Sequence, residues 1–295
     1  MLIQLLAMIL MVGVGFGLRR VGFLGPQDQQ TLGKLLTHLA IPAVIIKALA
    51  TATITADLIA LPLSALGVVL GLTLIAGLGV TLLGWERPRA GALIASFASF
   101  EGGAIGYPLM LMATGEAGLS RFVLFDLAQA VYLLTVIYAL SAWFGQGQIT
   151  PRRLAQNLIQ TPFFWAIMAG LALNLLGERS LLLLPLLQIP AAGFLLLVLL
   201  LLGMTFRVDC SGLPLYGGLA LAKVTCGLGL GWLASGLLGL QGLEQTVVLL
   251  GAALPPSLLT ILFCQEHHLD TRFTVGFISM AVPLYLTMIT LYAVL

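Results

Sequence analysis

Phe100-Glu101-Gly102-Gly103-Ala104-Ile105-Gly106-Tyr107-Pro108 sets three glycines and a proline inside an apolar stretch. Gly251-Ala252-Ala253-Leu254-Pro255-Pro256-Ser257-Leu258-Leu259-Thr260 interrupts a second one. The two are in register: Pro42 and Pro190, Gly103 and Gly251, and Pro108 and Pro256 are each 148 positions apart. Glycine and proline weaken or remove backbone hydrogen bonds that lipid cannot replace. Such interruptions at matching places in two halves are the usual pointer to a transporter's binding site. The alternative is that glycine and proline merely kink ordinary packing helices, as they often do in membranes.

Composition agrees with a membrane chain. Of 295 residues, 60% are hydrophobic and 8% charged, and the mean hydropathy is +1.11. So few charges cannot cover a soluble domain of this length. The net charge of +2 is too small and scattered to suggest nucleic acid. Cys210, Cys226 and Cys264 have neither disulfide nor metal-site spacing. No metal or cofactor is expected. Residues 1–18 are apolar from the start and precede Arg19-Arg20, which suits a first span rather than a removable signal.

Apolar stretches of membrane-crossing length fall near 1–18, 32–51, 58–84, 90–113, 120–144, 158–177, 181–206, 213–239, 245–265 and 272–294. The expected fold is therefore all-α and integral to the membrane. Ten transmembrane helices form two five-helix repeats, residues 1–145 and 158–295, around a cytoplasmic linker at 146–157. Five spans per repeat force the second copy to insert upside down, so the repeat is inverted. Loops after odd-numbered spans carry Arg19, Arg20, Arg87, Arg89, Arg152, Arg153, Arg207 and Arg272. Those after even-numbered spans carry Arg121 and Arg179, each near a glutamate, Glu116 or Glu178. The odd loops should be cytoplasmic and both termini outside.

Broken helix ends in the fourth and ninth spans form a polar site without many charged side chains. Its candidate residues are Glu101, Gly102, Gly103, Gly106, Pro108, Asp126, Gln129, Lys223, Pro255, Pro256, Ser257 and Thr260. An ionisable group within a span usually faces an aqueous cavity or a partner. Glu101, opposite Leu249 in the repeat, reads as a proton acceptor, as a counter-charge for an amino group, or as a structural ligand of freed backbone. Asp126 and Gln129 share one helix face. Asp126 either faces the breaks or occupies a water-exposed turn. Lys223 lies deep enough to need a carboxylate, Glu101 or Asp126, or an anionic solute. Lys47 is placed to snorkel. Gln265 is a further lining candidate and His38 a lone pH-sensing one. His267-His268 reads as a solvated cytoplasmic loop beside Asp270.

The stretch from Glu101 to Pro108 resembles the auxin efflux carrier family of bacterial permeases, with its Asn-x-Gly-x-x-Gly-x-Pro pattern in the fourth helix. Gly103, Gly106 and Pro108 fit; Glu101 stands where the asparagine is expected. Leu254-Pro255-Pro256-Ser257, followed by Gln265-Glu266-His267-His268-Leu269-Asp270, is similar to the family's ninth helix and its exit. The resemblance implies crossing fourth and ninth helices, as in carriers of the bile-acid symporter fold. It also implies a scaffold of spans 1, 2, 6 and 7, a mobile bundle of the others, elevator-like alternating access and a homodimer in the cell's inner membrane. Small organic anions are the implied solutes, with a proton or cation coupled; amine-bearing solutes such as amino acids are the alternative.

Other classes fare worse. There is no P-loop for an ATP motor, no HExxH and no Gly-x-Ser-x-Gly, so an intramembrane enzyme lacks its parts. A channel commonly relies on subunit rings rather than an internal repeat, and a sensor would add a cytoplasmic domain.

Overall fold

The computed structural model describes residues 2–53, 56–146, 150–177, 184–205 and 213–294. Arg179, Glu178, Arg207 and Cys210, used above for orientation and cysteine spacing, lie outside those residues. Every regular element among the described residues is helical. The order is α1 Leu2–Arg20, α2 Pro26–Leu35, α3 Ile41–Ala50, α4 Ala60–Leu83 and α5 Arg87–Phe97. Then come α6 Tyr107–Tyr132, α7 Tyr138–Phe144, α8 Pro151–Ile159, α9 Pro162–Leu175 and α10 Leu184–Ala192. The chain closes with α11 Phe194–Thr205, α12 Leu213–Leu237, α13 Gly242–Ala252, α14 Leu259–Glu266 and α15 Thr271–Val294.

Six helical stretches among the described residues are long and apolar enough to cross a membrane. A seventh results if α8 and α9, bent by 60°, count as one crossing. The chain is a multi-pass membrane protein. The longest stretch, Arg87–Phe144, is not one rod. Its helix is interrupted after Phe97 and again at Gly115, whose φ of 70° is a left-handed conformation open to glycine. With 11 and 8 residues, α13 and α14 are each too short to span hydrocarbon alone.

Proline shapes two turns. Pro42 and Pro108 lack the N–H that would continue the ladder, and their rings press on the carbonyl four residues back. In both places the preceding turn widens to a π-helical one, Leu36–Ala40 and Gly102–Gly106. Ile41 N–H then reaches Leu36 O, and Tyr107 N–H reaches Gly102 O. Such turns are common at functional sites.

Helix pairing places the breaks. Helix α1 packs along α11 and α3 along α9; α4 lies against α6 and α12 against α15. Between these pairs, α4 and α12 meet, α13 packs on α12 and α6, and α5 packs on α4 and α15. Asn174 of α9 ties the end of α3, its Nδ2 donating to Leu49 O at 2.8 Å and Ala52 O at 2.7 Å.

Candidate functional site

Helix α5 stops at Phe97 and helical structure resumes at Gly102; α13 stops at Ala252 and α14 begins at Leu259. The two irregular stretches lie against each other. Glu101 N–H donates to Pro255 O at 2.9 Å, and Ser257 N–H donates to Ser99 Oγ at 3.2 Å. Glu101 makes the remaining link with its carboxylate. Oε1 accepts Ala104 N–H at 3.0 Å, and Oε2 accepts Leu258 N–H at 2.7 Å.

Those two N–H groups belong to the starts of two different helices. Helix starts carry unpaired N–H groups and the positive end of the backbone dipole. A carboxylate is therefore stabilised twice over at this point. Glu101 is 8% exposed, so water does little of this work. The structural role, a ligand for freed backbone, is directly visible.

Lys223 follows the same rule with the opposite sign. It is fully buried on α12, and its Nζ donates to Phe97 O at 2.8 Å and Ser99 O at 2.7 Å. Those are carbonyls at the negative end of α5, where a cation is favoured. The Phe100 ring lies 5.1 Å from the ammonium. The expected carboxylate partner is thus replaced by backbone: Lys223 bonds neither Glu101 nor Asp126. A lysine can satisfy its donors on carbonyls wherever a helix ends beside it.

Asp126 is buried rather than set in a water-exposed turn. Its Oδ2 accepts the Tyr107 hydroxyl at 2.9 Å. Its carboxylate also lies against Gly102 so closely that a Cβ there would sit 2.6 Å from its Cγ. Gln129, on the same face, donates from Nε2 to Phe100 O at 2.9 Å. Both residues of this pair therefore reach the first break. Phe100, Phe125 and Phe122 stack beside it, with centroids 6.0 and 5.9 Å apart.

The other candidates divide. Pro255 contributes its carbonyl to Glu101, and Ser257 Oγ accepts Leu259 N–H at 3.3 Å, capping α14. Thr260 turns its hydroxyl to Ser257 O at 2.6 Å. Gly106 leaves room for Phe122, whose Cζ would stand 2.5 Å from an added Cβ. Pro108 and Pro256 shape backbone, whereas Gly103 has space, the nearest atom to an added Cβ being Ile41 Cδ1 at 3.5 Å. Gln265 is exposed. Lys47 pairs with the exposed Glu116 at 2.6 Å, away from the breaks. Buried Cys264 packs against Thr274, its Sγ 3.1 Å from Oγ1.

His267 departs from the expected solvated loop. It is 3% exposed, edge-on to Tyr138 at 4.8 Å, and its two ring nitrogens have no hydrogen-bond partner among the described residues. Burial pushes its pKa down. The cause is the chain after α7: Gly145 presses on His267 O, and Gln146 N–H donates to that oxygen at 3.1 Å. His268 stays exposed. Beside them, Glu266 accepts from Tyr138 Oη at 2.7 Å and pairs with Arg153 of α8.

Ser99, Tyr107 and Arg19 were not among the residues expected at a site. Serine and tyrosine give little sequence signal, and Arg19 reads as an interfacial charge. Arg19, Gln29, Met204, Leu258, Ile261 and Ile278 are among the residues lining a cavity of 230 Å³. The cavity reaches Leu258, the residue whose N–H holds Glu101. Apolar walls with few polar groups suit a small organic molecule.

The sequence model of the membrane transport protein family matches residues 1–292. A protein of Methanothermobacter thermautotrophicus named as an uncharacterized transporter is 26% identical over 301 residues. That alignment covers 98% of this chain and 96% of the relative. With the family's match running almost from end to end, the chain belongs to the membrane transport proteins of the auxin efflux carrier family.

Proposed function

We propose that this chain is a secondary active transporter that carries a small, carboxylate-bearing organic solute past the paired breaks, coupled to a proton or another cation. The observation that carries the reading is the meeting of two interrupted helices in an apolar interior, their polar ends joined through Glu101 and Ser99, with Lys223 held on the carbonyls of the first break. Such ends supply a polar site inside lipid-compatible protein. Plain organic acids are one solute class. Amine-bearing ones such as amino acids are the second, favoured by the buried Glu101 carboxylate.

Ten spans in two inverted repeats, residues 1–145 and 158–295 about the linker at 146–157, fit the helix pairing. Exchanging each of spans 1–5 with its mate among spans 6–10 turns the α3–α9 contact into α11–α1. It likewise turns α4–α6 into α12–α15 and α13–α6 into α5–α15. The first set, spans 1, 2, 6 and 7, serves as scaffold. Spans 3–5 and 8–10 serve as the mobile bundle of an elevator. The 230 Å³ cavity supports that division, since Arg19 and Met204 lie on the scaffold side and Leu258 and Ile278 on the bundle side. Both termini outside the inner (plasma) membrane and assembly as a homodimer complete the proposal.

Reconstituted protein should exchange radiolabelled solute from a panel of carboxylates and amino acids across liposomes. Gly102→Leu, which drives a side chain into the Asp126 carboxylate, should abolish that exchange. Exchange that survives Gly102→Leu undiminished would show that the solute does not pass the breaks.

A further inference from the structure

Glu101 does what a bound anion does at a helix start. Each of its carboxylate oxygens accepts an N–H from a different helix, Ala104 in the run that follows the first break and Leu258 at the head of α14. It is buried, and none of the ion pairs among the described residues includes it. Leu258, whose N–H holds Glu101, also lines the 230 Å³ cavity, so the carboxylate lies one residue behind the cavity wall. Arg19 lines the same cavity, its Nη1 donating to Met204 O at 2.6 Å.

We infer that Glu101 is a specificity-determining residue: it fills the anion position between the two helix starts with the protein's own carboxylate, so that the solute presents an amino group there and keeps its carboxylate toward Arg19. This deepens, and rests on, the reading that solute is handled at the breaks. A free carboxylate entering beside Glu101 finds both N–H groups used and meets a like charge, which disfavours it strongly where water is excluded. An ammonium there meets an acceptor. A solute with both groups offers one to Glu101 and one to Arg19.

The consequence can be tested without knowing the natural solute. Glu101→Gly removes the carboxylate and leaves two N–H groups facing a vacated space of carboxylate size. Formate or acetate should fill it. In full-length protein purified in detergent, the apparent melting temperature of Glu101→Gly should rise saturably with formate or acetate relative to equal concentrations of chloride, since a ligand of the folded state stabilises by mass action. Wild-type protein should show no such rise. Glu101→Gln, whose amide still fills the space, should also stay unresponsive. Should Glu101→Gly not fold, Glu101→Ser carries the same test, because serine caps Ala104 N–H and still leaves Leu258 N–H open.

The solute class is read from matched pairs on the wild type: alanine against propionate, leucine against 4-methylpentanoate. The amine-bearing member of a pair should stabilise, the deaminated member should not, and Glu101→Gln should lose the difference. A Glu101→Gly or Glu101→Ser protein that responds to acetate no more than to chloride overturns the assigned position of Glu101. Equal responses within both pairs, or none in either, overturn the solute class. Neither result touches the transport reading, which stands or falls on exchange in liposomes and its loss in Gly102→Leu.

Discussion

Replacing Lys223 with methionine separates the two accounts of this buried cation. Methionine keeps the unbranched stem and about the same volume, so the change opens no large cavity. It removes two hydrogen bonds from a charged donor, to Phe97 O at 2.8 Å and Ser99 O at 2.7 Å. Bonds to charged groups contribute about 1.5–3 kcal/mol each, net of solvation. The loss is therefore about 3–6 kcal/mol, most of it expressed as two carbonyls left without donors at the end of α5. At about 2–4 °C per kcal/mol for a chain approaching this size, the melting temperature should fall by roughly 6–24 °C. The assay is thermal unfolding of purified protein at neutral pH, followed by tryptophan fluorescence. If Lys223 instead served a carboxylate, Lys223→Met would leave a lone buried charge, costing about 3–5 kcal/mol. Neutralising that partner as well would then recover the loss. The carbonyl account predicts no such recovery in Lys223→Met/Asp126→Asn or Lys223→Met/Glu101→Gln. Restoration of most of the lost stability by either second substitution would refute the argument.

Other perturbations follow from the same geometry. Gly102→Ala should lower stability by about 1–3 kcal/mol through overpacking against the Asp126 carboxylate. Gly103→Ala, one residue on, should be tolerated in the same unfolding assay, because its Cβ meets nothing nearer than Ile41 Cδ1 at 3.5 Å. Asn174→Leu should cost about 1–3 kcal/mol by releasing the carbonyls at the end of α3, read as a shift in melting temperature with transport in liposomes retained. Glu244 accepts from Arg121 Nε at 2.6 Å, and that bond holds its carboxyl below the usual glutamate pKa. The unfolded chain then binds the proton more readily than the folded one. The pair's contribution, about 0.2–1 kcal/mol, should be present above the ordinary glutamate pKa and vanish as pH falls through the depressed one. Melting curves of wild type and Glu244→Gln should accordingly differ at neutral pH and converge in acid.

Much of this protein was legible along the chain because lipid is a severe solvent. Long apolar stretches with few charges have no other stable setting, and Gly/Pro clusters stand out where an unbroken helix is otherwise enforced. The breaks at residues 98–101 and 253–258, and the turn widened before Pro108, follow from those residues' own backbone chemistry. Gln129 and Asp126 could be placed together because helix spacing puts them on one face.

What the chain alone left open was partnership. Lys223 invited a carboxylate, yet found Phe97 O and Ser99 O, because any residue ending a helix offers carbonyls and no side-chain letter marks them. His267 looked like loop, and became buried only because Gly145 and Tyr138, more than a hundred residues earlier, close over it. Glu101 carried competing readings until Leu258 N–H, 157 positions away, was brought to its Oε2. Local sequence determines where a membrane helix must break and which groups the break frees. Which charge those groups receive is decided by packing, since a helix end in a low-dielectric interior takes the partner that the tertiary fold sets beside it.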